Sequence, residues 1–336
     1  MLSSVDTNQG GKSLTHQALL YGSDEEFLAG TVPFIQDGLD CGDPIRIATT
    51  DRSTGWLRAA LGADARRVAF CDSSQWYRHP VRTLAAVCRT VQAPSPDGHR
   101  LRMIEEPLWS ARTAQESKEW ARYESLVNAA LSSANATLLC TYDTRIVDPD
   151  IVAQVARTHP ELVVNGGGQP SPSYADPAVF SAECDRAPLP EPPPPALWLR
   201  FRRVDQLVTL RDFVNSHATR AGATAQHIEQ FVQAVDEVAT NAIEHGGGSS
   251  VLRIWTDRQT MSCEISDTGA GLRDPLAGHL PPSPFATRGR GLWLARQFCD
   301  LVELRTDPAG TTVRLHLSLP GRETAPPAAR PHPASG

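Results

Sequence analysis

Three polar side chains recur at four-residue intervals in the segment DEVATNAIEHGGG, residues 236–248: Glu237, Asn241 and His245. Four residues advance a helix by about 400°, so these side chains are predicted to lie along one helical face. The opposite face carries apolar residues at helical spacing and is predicted to enter a core. Those residues are Ile228, Phe231, Val235, Val238 and Ala242. A carboxylate, a carboxamide and an imidazole on the other face could act on a polar ligand; these residues alone also fit a solvated face.

Two glycine-containing segments follow this helix and could complete a ligand site. DTGAGL, residues 267–272, comes directly after a predicted strand. The carboxylate of Asp267 at the strand end can accept a hydrogen bond from an exocyclic amine, the group that distinguishes adenine from guanine. Gly269 and Gly271 carry no Cβ, so the backbone there could approach a base and a sugar closely.

The second segment, TRGRGLWLARQFCD (287–300), leads from glycines into a predicted helix. Free N–H groups at the N-terminus of that helix favour an anionic phosphate, and arginines add positive charge. The residues predicted to bind there are Arg288, Gly289, Arg290, Gly291 and Leu292. Asn241 is predicted to hold a hydrated Mg²⁺, because Mg²⁺ prefers oxygen ligands and keeps several waters.

Helices and strands that could position these residues are predicted throughout the C-terminal part of the chain. The predicted helices cover about 204–220 and 225–245, and the predicted strands cover 251–257, 261–267, 301–306 and 311–319. In the second strand Met261, Cys263 and Ile265 alternate with polar residues, which predicts a half-buried strand with one face on the helices. The pattern predicts a two-layer α/β sandwich with a mixed, antiparallel-leaning sheet.

The N-terminal part alternates short apolar strands with helices. The predicted strands are 45–50, 66–70, 101–107 and 137–143. Ser23 and Glu26 have capping-box spacing ahead of a helix that Pro33 is predicted to kink or divide. This alternation predicts an α/β fold, a parallel sheet with helices on both faces.

A phosphate-binding loop is not predicted in this N-terminal part. The GGKS sequence at 10–13 has Asp6 where such a loop needs a glycine, and no strand precedes it. The segment TTDRSTG after the first clear strand lacks the lysine. The sheet therefore resembles a nucleotide-binding architecture without its phosphate loop.

Proline marks the predicted boundary between two domains. Six prolines lie in APLPEPPPPA, residues 187–196, which predicts an extended, semi-rigid linker. The predicted organisation is, in chain order: 1–13 flexible N-terminus, 14–180 N-terminal domain, 187–196 linker, 197–320 C-terminal domain, 321–336 disordered tail.

Composition excludes several classes of protein. The chain has 336 residues and a net charge of −6, so its charge does not favour binding to nucleic acid. Seven cysteines lie scattered, never in CxxC spacing, which favours reduced thiols over a disulfide framework or a zinc site. The sequence contains no apolar run of about 18 residues and no signal-peptide pattern, so a cytoplasmic protein is expected.

The three segments around Asn241, Asp267 and Gly291, in this order, resemble the N, G1 and G2 boxes of the GHKL ATPase superfamily, the Bergerat fold. The resemblance covers about residues 197–320 and implies binding of ATP with Mg²⁺. None of the ten histidines is followed by Asp or Glu, as the phospho-accepting histidine of a sensor kinase usually is.

The stretch DEVATNAIEHG and the short segment from Leu272 to Thr287 are similar to the anti-sigma factor serine kinases. The resemblance implies a serine/threonine kinase that sequesters a sigma factor and phosphorylates a STAS-domain anti-anti-sigma protein, with Glu237 as general base. It also suggests a homodimer. His245 matches a family position, although a histidine near a helix C-terminus is also favoured by the helix dipole.

The N-terminal part resembles the MEDS sensory domain over about residues 14–165. The resemblance rests on HQALLY (16–21), VPFIQDGLDCGDPIRIATT, EEPLW (105–109) and CTYD (140–143). It implies a degenerate RecA-like fold that responds to a small molecule or a redox signal. The implied pocket residues are His16, Glu106, Trp109, Tyr142 and Asp143, each of which also fits a purely structural role.

Two other functions remain open from the sequence. The C-terminal domain could be a non-catalytic module in which ATP sets the conformation that grips a partner. It could also be an atypical sensor histidine kinase. The presence of Glu237 favours a kinase over the binding module, because a general base is needed only for phosphoryl transfer.

Overall fold

The computed structural model describes residues 13–93, 98–110, 112–257, 259–282 and 289–320. The predicted C-terminal tail and all but one residue of the predicted flexible N-terminus lie outside these ranges. The chain divides into two compact units. The first comprises the residues up to Arg78, Thr83–Trp109 and Tyr123–Ala175, and the second comprises His79–Arg82, Ser110–Arg122 and the residues from Asp176 onward. The domain bounds given above stay a prediction.

Strands and helices alternate along residues 15–186, as the sequence predicts. In chain order they are β1 (Thr15–Tyr21), α1 (Asp24–Cys41), β2 (Ile45–Thr49), α2 (Asp51–Leu61), β3 (Ala69–Asp72), α3 (Ser73–Trp76), α4 (Pro80–Gln92), β4 (Leu101–Glu105), α5 (Ala114–Ala130), β5 (Ala136–Asp143), α6 (Pro149–Thr158), β6 (Glu161–Val164), β7 (Gly167–Pro170) and α7 (Pro177–Arg186). The four strands predicted here correspond to β2, β3, β4 and β5.

The first unit is built on a seven-stranded sheet in the order β3-β2-β4-β5-β1-β6-β7. Neighbouring strands run parallel except β7, which pairs antiparallel with β6. Alternate residues of β1 and β5 enter different clusters: Leu19 and Leu139 pack with α1 and α2, whereas Ala18 and Cys140 pack with α6. Helices therefore cover both faces, and the predicted α/β architecture of this part is confirmed.

Helix α1 begins and continues for local reasons. The Ser23 side chain accepts a hydrogen bond from the Glu26 N–H, which satisfies one free donor of the first turn. The prediction that Pro33 divides this helix is wrong, since α1 is a single helix of 18 residues. Proline removes one backbone donor, but the buried apolar face on both sides of it holds the helix together.

The connection between β1 and α1 agrees with the absence of a phosphate-binding loop. Only Gly22 and Ser23 separate the strand from the helix, and the first turn of α1 carries Asp24, Glu25 and Glu26. Three carboxylates at a helix N-terminus repel a phosphate that the helix dipole would otherwise favour.

The second unit contains a five-stranded antiparallel sheet. Its further elements are β8 (Leu197–Phe201), α8 (Leu207–Arg220), α9 (Ala225–His245), β9 (Ser250–Thr256), β10 (Thr260–Ser266), α10 (Gly291–Phe298), β11 (Leu301–Asp307) and β12 (Gly310–Ser318). The strand order is β11-β12-β10-β9-β8, and every neighbouring pair is antiparallel. Helices α8, α9 and α10 pack their apolar residues on one face of this sheet, which confirms the predicted sandwich.

The prediction of a half-buried β10 is wrong. Ser262 and Glu264 are buried, like the apolar residues with which they alternate. Glu264 Oε2 accepts hydrogen bonds from Arg314 Nη2 (2.6 Å) and Nε (3.1 Å), and Ser262 Oγ lies 3.0 Å from His316 Nδ1. Pairing with cross-strand neighbours lets polar side chains of this face be buried, a compensation that alternation along one strand does not reveal.

Candidate functional site

Helix α9 carries the polar residues with which the sequence analysis began. The Thr224 side chain caps its N-terminus by accepting a hydrogen bond from the His227 N–H. Its apolar face is buried against the sheet. Glu237 and Asn241 are half-buried on another face, and His245 in the last turn is exposed. The helical spacing therefore places these three residues as predicted.

A cavity of about 440 Å³ lies where α9 meets the two glycine-containing segments. Its lining joins all three segments found in the sequence. The lining includes Asn241, His245, Asp267, Gly271, Leu272, Gly278, Gly289, Gly291, Leu292, Thr311 and Val313. A lining that combines polar groups with apolar side chains suits a base with attached phosphates.

Asp267 is held at the end of β10 by the backbone around it. Its Oδ1 accepts hydrogen bonds from the Gly269 N–H (2.9 Å) and the Thr311 N–H (3.3 Å). Both bonds engage the same oxygen, so the second carboxylate oxygen can accept a hydrogen bond from a base in the cavity. The carboxylate is therefore fixed before a ligand arrives, which suits a residue that reads an exocyclic amine.

Gly271 lies in a backbone conformation that few other residues adopt, with φ at 78°. A Cβ at this position would lie 2.4 Å from the carbonyl oxygen of Asp307. The turn after β10 therefore requires glycine for two independent reasons.

The N-terminus of α10 faces the polar side chains of α9. A Cβ on Gly291, the first residue of α10, would lie 2.8 Å from Glu237 Oε2 and 3.1 Å from Asn241 Nδ2. The carboxylate, the carboxamide and the free N–H groups of the helix terminus are thus neighbours. Because the cavity combines this terminus with an amide oxygen donor, its residues fit ATP with Mg²⁺.

Glu237 has an environment that favours its protonated form. Burial, and secondly the neighbouring carboxylate of Asp236, raise the pKa of Glu237 above its usual value. A raised pKa makes a carboxylate a stronger base once it is ionised.

The remaining residues predicted to bind ATP lie in different places. Gly289 and Leu292 line the cavity, whereas Gly269 packs against the His245 carbonyl oxygen. Arg290 is the N-cap residue of α10 and is exposed. Arg288 lies outside the described residues.

The five residues predicted for a sensory pocket do not all lie together. Trp109 and Tyr142 lie with ring centroids 6.3 Å apart, and His159 connects Tyr142 to His16 with centroid distances of 5.7 and 4.2 Å. These rings lie on the α6 side of the sheet.

Glu106 and Asp143 lie around Tyr21, whose side chain enters the cluster on the α1 side of the sheet. Glu106 Oε2 accepts hydrogen bonds from the Thr50 N–H (2.8 Å) and hydroxyl (3.1 Å). Asp143 receives two hydrogen bonds of 2.7 Å from Arg145. Both carboxylates therefore make structural hydrogen bonds at the carboxyl ends of the strands.

Two known families match the chain, one in its N-terminal part and one in its C-terminal part. Residues 15–160 match the family described as MEDS, the MEthanogen/methylotroph, DcmR Sensory domain. Residues 202–317 match the family described as Histidine kinase-like ATPase domain. The chain joins a MEDS domain to a GHKL-type ATPase domain. No curated protein matches the chain.

Solved structures similar to the chain resemble it over about a third of its length. One contains the RsbU and RsbW domains of Rv1364c from Mycobacterium tuberculosis, with 20% identity and a TM-score of 0.28; the match covers 38% of this chain and 35% of that one. Another is the catalytic domain of histidine kinase ThkA, with 13% identity and a TM-score of 0.25, covering 36% of this chain and 95% of that one. The chain thus spans about a third of the length of the first structure.

A polar cluster that the sequence does not reveal lies inside the MEDS domain. Glu124, Cys140 and His159 surround His16, and all four side chains are buried. Burial, and secondly the nearby His159, lower the pKa of His16 to about 3, and burial lowers the pKa of His159 to about 4. The four residues come from β1, α5, β5 and the end of α6, so no local spacing could have brought them to notice.

None of the described helices is both long enough and apolar enough to cross a lipid bilayer.

Proposed function

We propose that the ATPase domain binds Mg·ATP and transfers its terminal phosphoryl group to a serine or threonine of a STAS-domain anti-anti-sigma protein. The observation that carries this proposal is the position of Glu237. Its carboxylate lies beside Gly291 at the N-terminus of α10, the place best suited to phosphate. A base next to the phosphate site is needed for transfer to a hydroxyl and is not needed for binding alone.

Each residue of the site has a defined part in this reaction. Asp267 accepts a hydrogen bond from the adenine amine, and the N-terminus of α10 binds the phosphates. The amide oxygen of Asn241 would hold Mg²⁺, which would supply positive charge to neutralise the phosphates. Glu237 takes the proton of the acceptor hydroxyl as the oxygen–phosphorus bond forms, and ADP leaves.

The domain order supports a regulatory role. A MEDS domain precedes the ATPase domain in the same chain. In the proposed function this domain receives a small-molecule or redox signal in the cytoplasm and changes the output of the ATPase domain. That output includes binding and withholding a sigma factor, which the unphosphorylated STAS protein releases. The active form is proposed to be a homodimer.

Phosphoryl transfer to candidate STAS proteins tests the proposal. The full chain is incubated with Mg·ATP and each candidate, and acid-stable phosphate on the partner is measured. Glu237→Gln should keep ATP binding and slow transfer by about 10²–10⁴-fold, because the glutamine fits the same space without accepting a proton. Glu229→Gln, an exposed glutamate two turns earlier on α9, should leave transfer unchanged.

Two results would replace this proposal with another. Acid-labile phosphate on a histidine of the chain would indicate a histidine kinase. Tight ATP binding with no transfer to any STAS protein, together with ATP-dependent capture of a partner, would indicate the non-catalytic binding module.

A further inference from the structure

The buried cluster in the MEDS domain has the composition of a metal site. Two imidazoles, a thiol and a carboxyl group offer one ligand atom each, and these atoms lie within 4.8 Å of one another. Nitrogen, sulfur and oxygen donors together suit Zn²⁺, whereas Mg²⁺ and Ca²⁺ prefer oxygen alone.

Four of the distances between the ligand atoms agree with tetrahedral coordination. His16 Nε2 lies 3.4 Å from Cys140 Sγ and 3.8 Å from Glu124 Oε2. Glu124 Oε2 lies 3.6 Å from both Cys140 Sγ and His159 Nε2. A tetrahedral ion with bonds of about 2.0–2.3 Å places its ligand atoms about 3.3–3.8 Å apart.

In each imidazole the Nδ1 atom, which faces away from the cluster, makes a hydrogen bond, as the second nitrogen of a metal-binding histidine does. His159 Nδ1 lies 3.0 Å from the Val155 carbonyl oxygen, which can only accept a hydrogen bond. His16 Nδ1 lies 3.0 Å from Asn128 Oδ1. Both imidazoles therefore carry the proton on Nδ1 and present the Nε2 lone pair to the cluster.

The orientation of Asn128 is itself determined by its neighbours. Its Nδ2 donates to the carbonyl oxygens of Thr158 (2.8 Å), Ser125 (3.1 Å) and Glu124 (3.4 Å). Only the side-chain amide oxygen of Asn128 remains to accept a hydrogen bond from His16. Tyr142 Oη lies 3.4 Å from His159 Nε2, which is too long for a strong hydrogen bond and leaves that nitrogen for an ion.

The four groups would also balance the charge of a bound divalent ion. A divalent cation displaces the thiol proton of Cys140 to solvent, so the thiolate and the Glu124 carboxylate supply two negative charges. With two neutral imidazoles the cluster then has no net charge, which is the least costly arrangement in a buried site.

We propose that His16, Glu124, Cys140 and His159 bind one divalent transition-metal ion, Zn²⁺ in preference, at a closed tetrahedral site inside the MEDS domain. Four protein ligands without an open position are typical of a structural zinc site. Because every ligand is buried, the ion is taken up as the domain folds and is retained by the folded chain. This inference does not depend on the proposed kinase activity.

Metal analysis of the full chain, purified without a histidine tag and without added chelator, tests the proposal first. We expect about one zinc ion per chain by mass spectrometry. Refolding with Co²⁺ in place of zinc should give a thiolate-to-cobalt charge-transfer band and the strong visible bands of tetrahedral cobalt. A metal-free chain that also gives no charge-transfer band on refolding with Co²⁺ overturns the proposal.

Two cysteine variants identify the ligand. Cys140→Ser should lose the charge-transfer band, whereas Cys88→Ser, which changes another buried thiol of the same unit, should keep it. Asn128→Ala should keep the band and weaken zinc binding about 10–100-fold, measured by competition with a chromophoric chelator, because it removes the partner of His16 Nδ1 and leaves the four ligands in place. A band that persists in Cys140→Ser overturns the assignment.

Discussion

At the scale of single residues, two carboxylates of the ATPase domain lie in different environments that suit different tasks. Asp267 accepts two backbone hydrogen bonds through one oxygen, which fixes its direction toward the cavity. Glu237 lies beside Gly291 and has a raised pKa. A carboxylate held in one direction suits a hydrogen bond from adenine, and a carboxylate with a raised pKa accepts a proton more readily.

In the proposed function, the pH dependence of transfer should report the ionisation of Glu237. The base acts only when ionised, so the rate should fall as the pH decreases through its pKa, which burial and then Asp236 raise. Asp236→Asn removes one cause of the raised pKa of Glu237. The fall in rate at low pH, the acid limb of the profile, should therefore move to lower pH, with a similar rate at the plateau. The measurement is transfer rate against pH, with Glu244→Gln as the control that leaves the limb in place. An unmoved limb in Asp236→Asn would contradict the assignment of Glu237.

Asp267→Asn should weaken ATP binding about 10–100-fold, since a hydrogen bond to a charged group contributes about 1.5–3 kcal/mol. Isothermal titration with Mg·ATP measures the affinity. The matched control is Asp257→Asn, because Asp257 also accepts two backbone N–H groups (3.1 and 2.9 Å) but lies in the β9–β10 turn away from the cavity. Unchanged ATP affinity in Asp267→Asn would show that Asp267 does not contact the adenine.

At the scale of elements, the site depends on how closely α10 approaches α9. Gly291 opens α10 against Glu237 and Asn241, and the cavity lies between this terminus and the turn after β10. In the proposed function, the N–H groups of α10 and these side chains of α9 act on one phosphate group. A Cβ at Gly291 would displace the ends of the Glu237 and Asn241 side chains.

Gly291→Ala should raise the dissociation constant for ATP about 5–150-fold, as overpacking of about 1–3 kcal/mol would. Alanine is otherwise favoured over glycine in a helix by about 0.5–1 kcal/mol, so a loss identifies the steric contact. Gly55→Ala is the control, because Gly55 is exposed within α2 and its Cβ would meet nothing within 4 Å. ATP affinity and thermal stability are measured for both variants; equal affinity would show that the contact at Gly291 is relieved without cost.

At the scale of the whole molecule, each compact unit has a hydrophobic core of its own. Phe231 and Leu315 belong to the core of the second unit, and Phe27 and Ile104 belong to that of the first. A unit with its own core can be stabilised by its own ligand, since a ligand that binds only the folded state adds its binding free energy to the stability.

Mg·ATP at about 100 times its dissociation constant should stabilise the ATPase domain by about 2.7 kcal/mol. Calorimetry of the full chain with and without Mg·ATP measures the shift in the melting transition. At the same ATP concentration the roughly 10–100-fold weaker binding of Asp267→Asn should reduce this stabilisation to about 0.4–1.4 kcal/mol, and Asp257→Asn should keep it in full. A shift of equal size in Asp267→Asn would place ATP elsewhere on the chain.

The sequence by itself determined those features that depend on local spacing. The helical face of Glu237 and Asn241, the capping of α1 by Ser23 and the glycines before α10 all follow from periodicity and backbone preference. The order of the three ATP-site segments also determined the domain type, since each lies on the element that its residues predict.

Only the tertiary structure decided which distant residues meet. His16 and His159 are 143 positions apart in the chain, and they come together because β1 lies between β5 and β6 in the sheet. The same reason explains the buried Glu264, whose partner Arg314 belongs to the neighbouring strand β12. Periodicity along one segment carries no information about pairing between segments, so these contacts exist only once the sheet has formed.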